Sequence, residues 1–310
     1  MLATVFPGQG SQSIGMMADF YNTSADVKGV FDEASSVLGY DLWKLIQFGS
    51  EKELNKTIHT QPAMLVAGVA AWTHFKLHFD TNPNFMAGHS LGEYTALVCS
   101  GAFKFSDAVY IVKKRAEFMQ NAVPSNTGAM AAIIGLDDDT VIQLCAEAEE
   151  NDVVSAVNYN APNQVVIAGH RLAVERAIKL AKKFGAKRAI LLNVSVPSHC
   201  VLMASASKKI RDLLTTINFD SFSVPVVSNV NVETYQGQSD LIEGLSNQVF
   251  KPVRWVETIQ YLKDQGVKIC VEIGPGGVLS GLCRRIDRSI SVIKYDSINV
   301  CKEINEENLT

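Results

Sequence analysis

Five short apolar runs, each bounded by Gly or Pro nearby, fall at 2–6, 84–88, 224–228, 268–273 and 291–295, with longer helix-like segments between them. Few architectures accept such an alternation. Runs without a polar face need cover on both sides, and helical crossovers supply that cover while keeping the strands parallel. The chain is therefore expected to be α/β, built on a parallel sheet. At 310 residues it has room for one large domain carrying a smaller one.

Hydrophobic residues make up 47% and charged residues 19%, a globular balance. A formal net charge of -4 argues against general binding to nucleic acid or to an anionic membrane. No run of about 18 apolar residues predicts a membrane span. The start of the chain, Leu2–Phe6, reads as a strand and not as an export signal. The six cysteines, at 99, 145, 200, 270, 283 and 301, form no Cys-x-x-Cys pair and no metal-like spacing with histidine. They are expected to be reduced structural thiols in a cytoplasmic protein.

One helix is predicted over 62–79, with Pro62 in its first turn after Thr60, and another from Ser106 to about Asn121, with Ser106 as N-cap. Between 125 and 195 the rhythm changes: strand 129–135, helix 138–149, strand 153–158, strand 164–168, helix 171–184, strand 187–193. This β-α-β-β-α-β order is the split βαβ pattern of ferredoxin-like units. It predicts a small antiparallel subdomain, 125–195, inserted into a core formed by 1–124 and 196–310. The polar end, 302–310, is expected to fray and to add nothing to function.

The sharpest local feature is Gly88-His89-Ser90-Leu91-Gly92, placed after an apolar run and before a helix-like stretch. A strand, a tight turn and a helix make a nucleophile elbow: glycines two before and two after the serine allow the backbone to fold sharply and lift Oγ above the sheet. The helix then aims its first amides, that of Leu91 among them, at the same point. The alternative is a chance Gly-x-Ser-x-Gly in a loop.

A serine needs a base, and six histidines are available. His74 and His78 share a helix face but lack the Glu of a zinc-hydrolase helix and an obvious third ligand. His89 adjoins the serine on the elbow, where its ring should point elsewhere, and His59 and His170 lie in polar connections without evident partners. His199, in Val196-Pro197-Ser198-His199-Cys200, follows the return from the inserted unit, where a loop residue can face a cleft. On residues alone it is either the base or a structural histidine. A Gly-rich turn, Phe6-Pro7-Gly8-Gln9-Gly10-Ser11-Gln12, ends the first strand-like run. Ser13 stands where a dinucleotide loop would have its third glycine, so the turn is either a second amide donor, through Gln9, or an ordinary strand-to-helix connection.

Taken together, the segments 6–12, 88–94 and 197–199 resemble the malonyl-CoA:acyl-carrier-protein transacylase family of type II fatty acid synthesis. Further stretches are similar: Thr60–Ala63, Arg115–Gln120, Gly128–Ala132, Asn158–Asn160, Asn247-Gln248 and Glu272–Gly276. The resemblance runs over nearly the whole chain, with no departure at a motif position. It implies an α/β-hydrolase-like core with the ferredoxin-like insertion, Ser90 as nucleophile and His199 as base. It further implies that a backbone carbonyl near Gln248 orients the imidazole, that Arg115 holds the malonate carboxylate, that Gln9 and Leu91 supply oxyanion amides, and that Gln61, Met130 and Asn160 line the pocket.

The resemblance also implies ping-pong transfer from malonyl-CoA to the phosphopantetheine of acyl carrier protein, without a metal or other cofactor, by a monomer. Two basic clusters, Lys182, Lys183, Lys187 and Arg188, and Arg284, Arg285 and Arg288, are either docking sites for an acidic carrier or solvated faces. Gly-x-Ser-x-Gly alone also allows a serine thioesterase or other hydrolase, although the interval between Ser90 and His199, where an acidic triad member is usual, is largely the insertion. The same residues would equally serve a polyketide acyltransferase acting in trans.

Overall fold

The computed structural model describes residues 1–194, 196–304 and 309. Nine strands occur in them: β1 Leu2–Phe6, β2 Phe85–Gly88, β3 Gly128–Ile134, β4 Val154–Ala161, β5 Gln164–His170, β6 Arg188–Leu191, β7 Val226–Val227, β8 Ile269–Ile273 and β9 Ser291–Tyr295. Two sheets result, a five-stranded one ordered β7-β2-β1-β8-β9 and a four-stranded one ordered β4-β5-β3-β6. Every pairing in the first is parallel and every pairing in the second is antiparallel. The protein is a mixed α/β fold.

Central β1 is buried along its whole length, as expected of a strand covered on both faces. One face of the parallel sheet packs with the Thr57–His78, Leu91–Cys99 and Phe105–Gln120 helices in a cluster that includes Phe6, Met86, Tyr94 and Val112. The other face packs Ala3, Val5 and Ala87 against Trp255, Ile259, Leu279 and Leu282, from the Trp255–Asp264 and Val278–Ile286 helices.

The four-stranded sheet has its own apolar cluster. Ala131, Ile133, Val165 and Ile167 meet Val141, Leu144, Val174 and Ala177 of the Asp138–Glu149 and Arg171–Ala181 helices. Its opposite face, through Met130, Val157, Val166 and Ala168, lies over Cys200. Backbone bonds tie the two sheets together: Val253 N donates to Val157 O at 2.8 Å and Tyr159 N to Val253 O at 3.0 Å.

Several boundaries differ from those expected. The long helix begins at Thr57, a turn before Pro62, and ends at His78. Thr60 does not cap it; its hydroxyl donates to Leu54 O at 2.5 Å and Lys56 O at 3.1 Å, inside the helix. Pro62 costs only one bond near the helix start, so the helix runs through it. The next long helix spans Phe105–Gln120 with Lys104 at its N-cap, which leaves Ser106 in the first turn. The expected strand 224–228 shrinks to Val226–Val227, because Pro225 has no N–H to give and the chain after Val227 turns toward the elbow. The helix expected over 171–184 stops at Ala181. At the chain end, Ile298–Glu303 is helical, so Lys302 and Glu303 are ordered, while 305–308 and 310 lie outside the described residues.

Candidate functional site

The site forms where strand ends meet. Phe6, at the end of β1, pairs with Gly88, at the end of β2, so the turn at 7–10 and the elbow at 88–91 lie side by side. Ser90 has φ 52° and ψ -106°, a conformation that side chains rarely adopt. Two glycines make it possible: a Cβ on Gly88 would overlap the Gly92 backbone, and one on Gly92 would overlap Phe6 O. Asn229, fully buried, props the turn by accepting from Ser90 N at 2.7 Å and donating to Gly88 O at 2.6 Å. Leu91 opens the Leu91–Cys99 helix, where amides have no intrahelical acceptor.

His199 arrives on the loop after the antiparallel sheet, itself at φ 67°. Its Nε2 lies 2.8 Å from Ser90 Oγ and its Nδ1 2.6 Å from Gln248 O. A carbonyl can only accept, so Nδ1 carries the proton and Nε2 presents a lone pair to the serine hydroxyl. Burial, with Arg115 adding to it, lowers the His199 pKa to about 3, so the ring is neutral at physiological pH.

Arg115 is 1% exposed. Nη1 donates to Gln61 Oε1 at 2.6 Å, Nη2 donates to Gln248 Oε1 at 2.9 Å, and the same Nη2 stands 3.4 Å from Ser90 Oγ. Its guanidinium carbon lies 5.3 Å from the centre of the Tyr94 ring. Burial pushes its pKa down, yet arginine keeps its charge. A small cleft opens over Ser90, lined by Gln9, His89, Val196 and His199 together with Met130, Asn158 and Val166 of the antiparallel sheet.

The structure thus brings Gln9, Gln61, Ser90, Leu91, Arg115, Met130, His199 and Gln248 to one place. Asn160 differs: its Oδ1 is 2.7 Å from His89 Nε2, and the strand residue that lines the cleft is Asn158. His59 and His170, without evident partners in the sequence, have them: Glu53 O lies 2.9 Å from His59 Nδ1, and Val153 N donates to His170 Nδ1 at 2.9 Å. His74 and His78 do meet a third group, Cys301, within 4.8 Å, but the Nδ1 of each is already engaged, by Tyr295 Oη at 2.7 Å and by His74 O at 2.8 Å. All six cysteines are free thiols.

Sequence reasoning missed Asn229, Glu93 and Tyr235. Glu93 is fully buried one turn beyond the serine; Tyr235 Oη donates to it, as does Gln248 Nε2 at 2.5 Å. The only trace was a charged residue inside an otherwise apolar helix start, Leu91–Cys99.

A serine on a strained elbow, a neutral imidazole and a guanidinium beside them form an arrangement that can carry an acyl group on the serine. The family profile described as "Acyl transferase domain" matches residues 4–300, and the chain belongs to that family. Among its relatives, the Escherichia coli O157:H7 protein named malonyl CoA-acyl carrier protein transacylase is 53% identical over 284 residues, 92% of each chain. The protein of the same name from Bacillus subtilis is 45% identical, covering 94% of this chain and 92% of its own. The solved malonyl CoA-acyl carrier protein transacylase from Coxiella burnetii superposes with a TM-score of 0.97 at 44% identity, covering 100% of this chain and 98% of its own. A malonyl-transacylase solved in complex with its type II polyketide acyl-carrier protein gives 0.97 at 48% identity over 99% of both chains. None of the described helices is long and apolar enough to cross a membrane.

Proposed function

We propose that this chain moves a malonyl group from malonyl-CoA to the phosphopantetheine thiol of acyl carrier protein, through an ester on Ser90. The observation that carries the reading is the convergence on one oxygen, Ser90 Oγ, of His199 Nε2 at 2.8 Å and Arg115 Nη2 at 3.4 Å. The names of the relatives support the same substrates.

In the first half-reaction Ser90 Oγ attacks the thioester carbonyl while His199 Nε2 takes its proton. The amides of Gln9 and Leu91 hold the oxyanion, and the tetrahedral adduct collapses as the carbon–sulfur bond breaks. His199 returns the proton to the coenzyme A thiolate, leaving malonyl-Ser90. In the second half-reaction the carrier thiol gives its proton to His199, attacks the ester and restores the serine. Two substrates thus share one site in turn, which is ping-pong kinetics. Arg115 pairs with the free carboxylate, and Gln61 and Gln248 hold its fork open toward Ser90.

The architecture supports a hydrolase-like core, 1–124 and 196–310, with a ferredoxin-like subdomain, 125–195, whose strand order of β4-β5-β3-β6 and private apolar cluster favour that division. The exposed basic groups at 182–188 and 284–288 supply charge for docking an acidic carrier. The reading places a monomer in the reducing cytoplasm, in keeping with six free thiols. A polyketide carrier is a second acceptor favoured by the 48% likeness to a transacylase solved with one.

Intact-protein mass spectrometry after mixing with malonyl-CoA tests the reading. Wild type should gain one malonyl group and pass it to carrier protein, and Ser90→Ala should gain none. An adduct that persists in Ser90→Ala, or release of free malonate at one rate with and without acceptor, would overturn it.

A further inference from the structure

We propose that Glu93 is a positioning residue whose ionised carboxylate fixes the Gln248 amide, and through it the Arg115 guanidinium, for the acyl carboxylate. This rests on the reading of Ser90 and Arg115 given above and says what holds that arrangement in place.

Glu93 sits in the first turn of the Leu91–Cys99 helix with no exposure to solvent. Its neighbours are all donors: Tyr235 Oη, Gln248 Nε2 at 2.5 Å, and Asn229 N at 3.4 Å from both oxygens. The Tyr235 hydroxyl can also accept, but Gln248 Nε2 and Asn229 N can only donate, so the surroundings favour the ionised form. A glutamine amide has two chemically different ends, and here the choice between them is forced. Glu93 and Ser90 O both require an N–H, the latter at 2.9 Å, so Nε2 faces them and Oε1 is left to accept from Arg115 Nη2 at 2.9 Å. The peptide oxygen of the same residue holds His199 Nδ1. One carboxylate therefore orients the residue that touches both the guanidinium and the base. It also offers the buried guanidinium an opposite charge while no substrate carboxylate is present.

The titratable groups that face Glu93 are Tyr94 on its own helix, Tyr235 from the segment after β7, and Arg115 from the Phe105–Gln120 helix; His199, beyond Gln248, is neutral. Burial raises the Glu93 pKa to about 7, against the downward pull of Tyr235, Gln248, Asn229 and Arg115. Gaining a proton takes the charge from the acceptor of Gln248 Nε2, and the amide loses its charge-assisted hold. Malonyl loading should accordingly weaken as pH falls through about 7, a range in which His199, held at about 3, does not titrate.

Glu93→Gln removes the charge and puts an N–H₂ in place of one acceptor oxygen, so Gln248 Nε2 loses its charge-assisted bond and the amide loses its fixed orientation. Loss of a charge-assisted bond predicts a rise in KM for malonyl-CoA of about tenfold or more, with the acid limb abolished. A merely structural carboxylate would lower thermal stability but leave the limb and KM in place, and that result refutes the proposal. Tyr235→Phe removes one donor to the carboxylate without touching Gln248 and should move the limb to higher pH; an unmoved limb counts equally against the idea. Glu93→Asp, which keeps the charge, should retain the limb. The ¹⁵N shift of the Gln248 side-chain amide should titrate near pH 7 in wild type and be flat in Glu93→Gln. That readout needs no substrate, so an amide that titrates in a protein that never loads malonyl would condemn the transfer reading alone, and an amide that does not titrate condemns this one.

Discussion

Ser90 is ordinary alcohol chemistry, and on the proposed reading the neighbour that chooses the acyl group is Arg115. A guanidinium 1% exposed pays a desolvation cost that only a bound anion returns fully, so an acetyl group should fit the site poorly compared with malonyl. Arg115→Ala is expected to lower kcat/KM for malonyl-CoA by about a hundredfold or more, in keeping with 2–5 kcal/mol for truncating one partner of a buried charge pair, while acetyl transfer is spared or rises. Competition between the two thioesters for the purified variant measures it, and an unchanged malonyl preference would remove Arg115 from the carboxylate. On residues alone His199 stood as base or structural histidine until the resemblance chose, whereas Ser90 was legible because its chain neighbours frame it. Arg115 was not: on residues alone it is one more arginine on a helix, and only the resemblance singled it out. Glu93 and Asn229 act by reaching across from one element to another, and nothing in their local sequence reports the other end.

At the scale of elements, the elbow works because a strand end and a helix start come within backbone contact of β1. Gly92 makes the approach to β1, since a Cβ there would run into Phe6 O. Gly92→Ala must separate β1 from the Leu91–Cys99 helix or distort Ser90; stability should fall by about 2–4 kcal/mol, the range for overpacking added to backbone strain. Urea unfolding together with malonyl loading checks this: a variant with wild-type midpoint and rate would show that the close approach is dispensable. The strands were readable from apolar runs, and the 138–149 helix was read to the residue, although its Asp137 cap was not. Boundaries slipped where a side chain turned back to the preceding turn, as at Thr60 to Leu54 O, or where proline cut a ladder, as at Pro225.

For the whole molecule, pH dependence follows from groups buried without charge. His199 and His74 have pKa values lowered from 6.5 to about 3 and about 4, mainly by burial, so the unfolded chain binds more protons than the folded one in that window. Their contribution is whole above 6.5 and is lost as pH falls toward 4 and then 3. Glu93 has the opposite sign: raised from 4.5 to about 7, it stabilises below 4.5 and that share is lost as pH rises through 7. Two groups outweigh one between 4.5 and 6.5, and below 4.5 the histidines act without opposition. The thermal midpoint should therefore decline on acidification from pH 6.5, most steeply under 4.5, as scanning calorimetry would register; a midpoint that climbs on acidification contradicts the burial of these rings. Sequence patterning gave both sheets their strands, but not the way Met130 and Val166 roof a serine carried by the other sheet, because that meeting belongs to no single segment.

The atom that steadies His199 is a peptide oxygen, that of Gln248. Every amino acid carries one, so no codon change at that position can delete it, whereas the amide beside it can be replaced at a stroke. Within a lineage, the hold on His199 is therefore sheltered from mutation at 248, while on the proposed reading the taste for a particular acyl chain is open to drift.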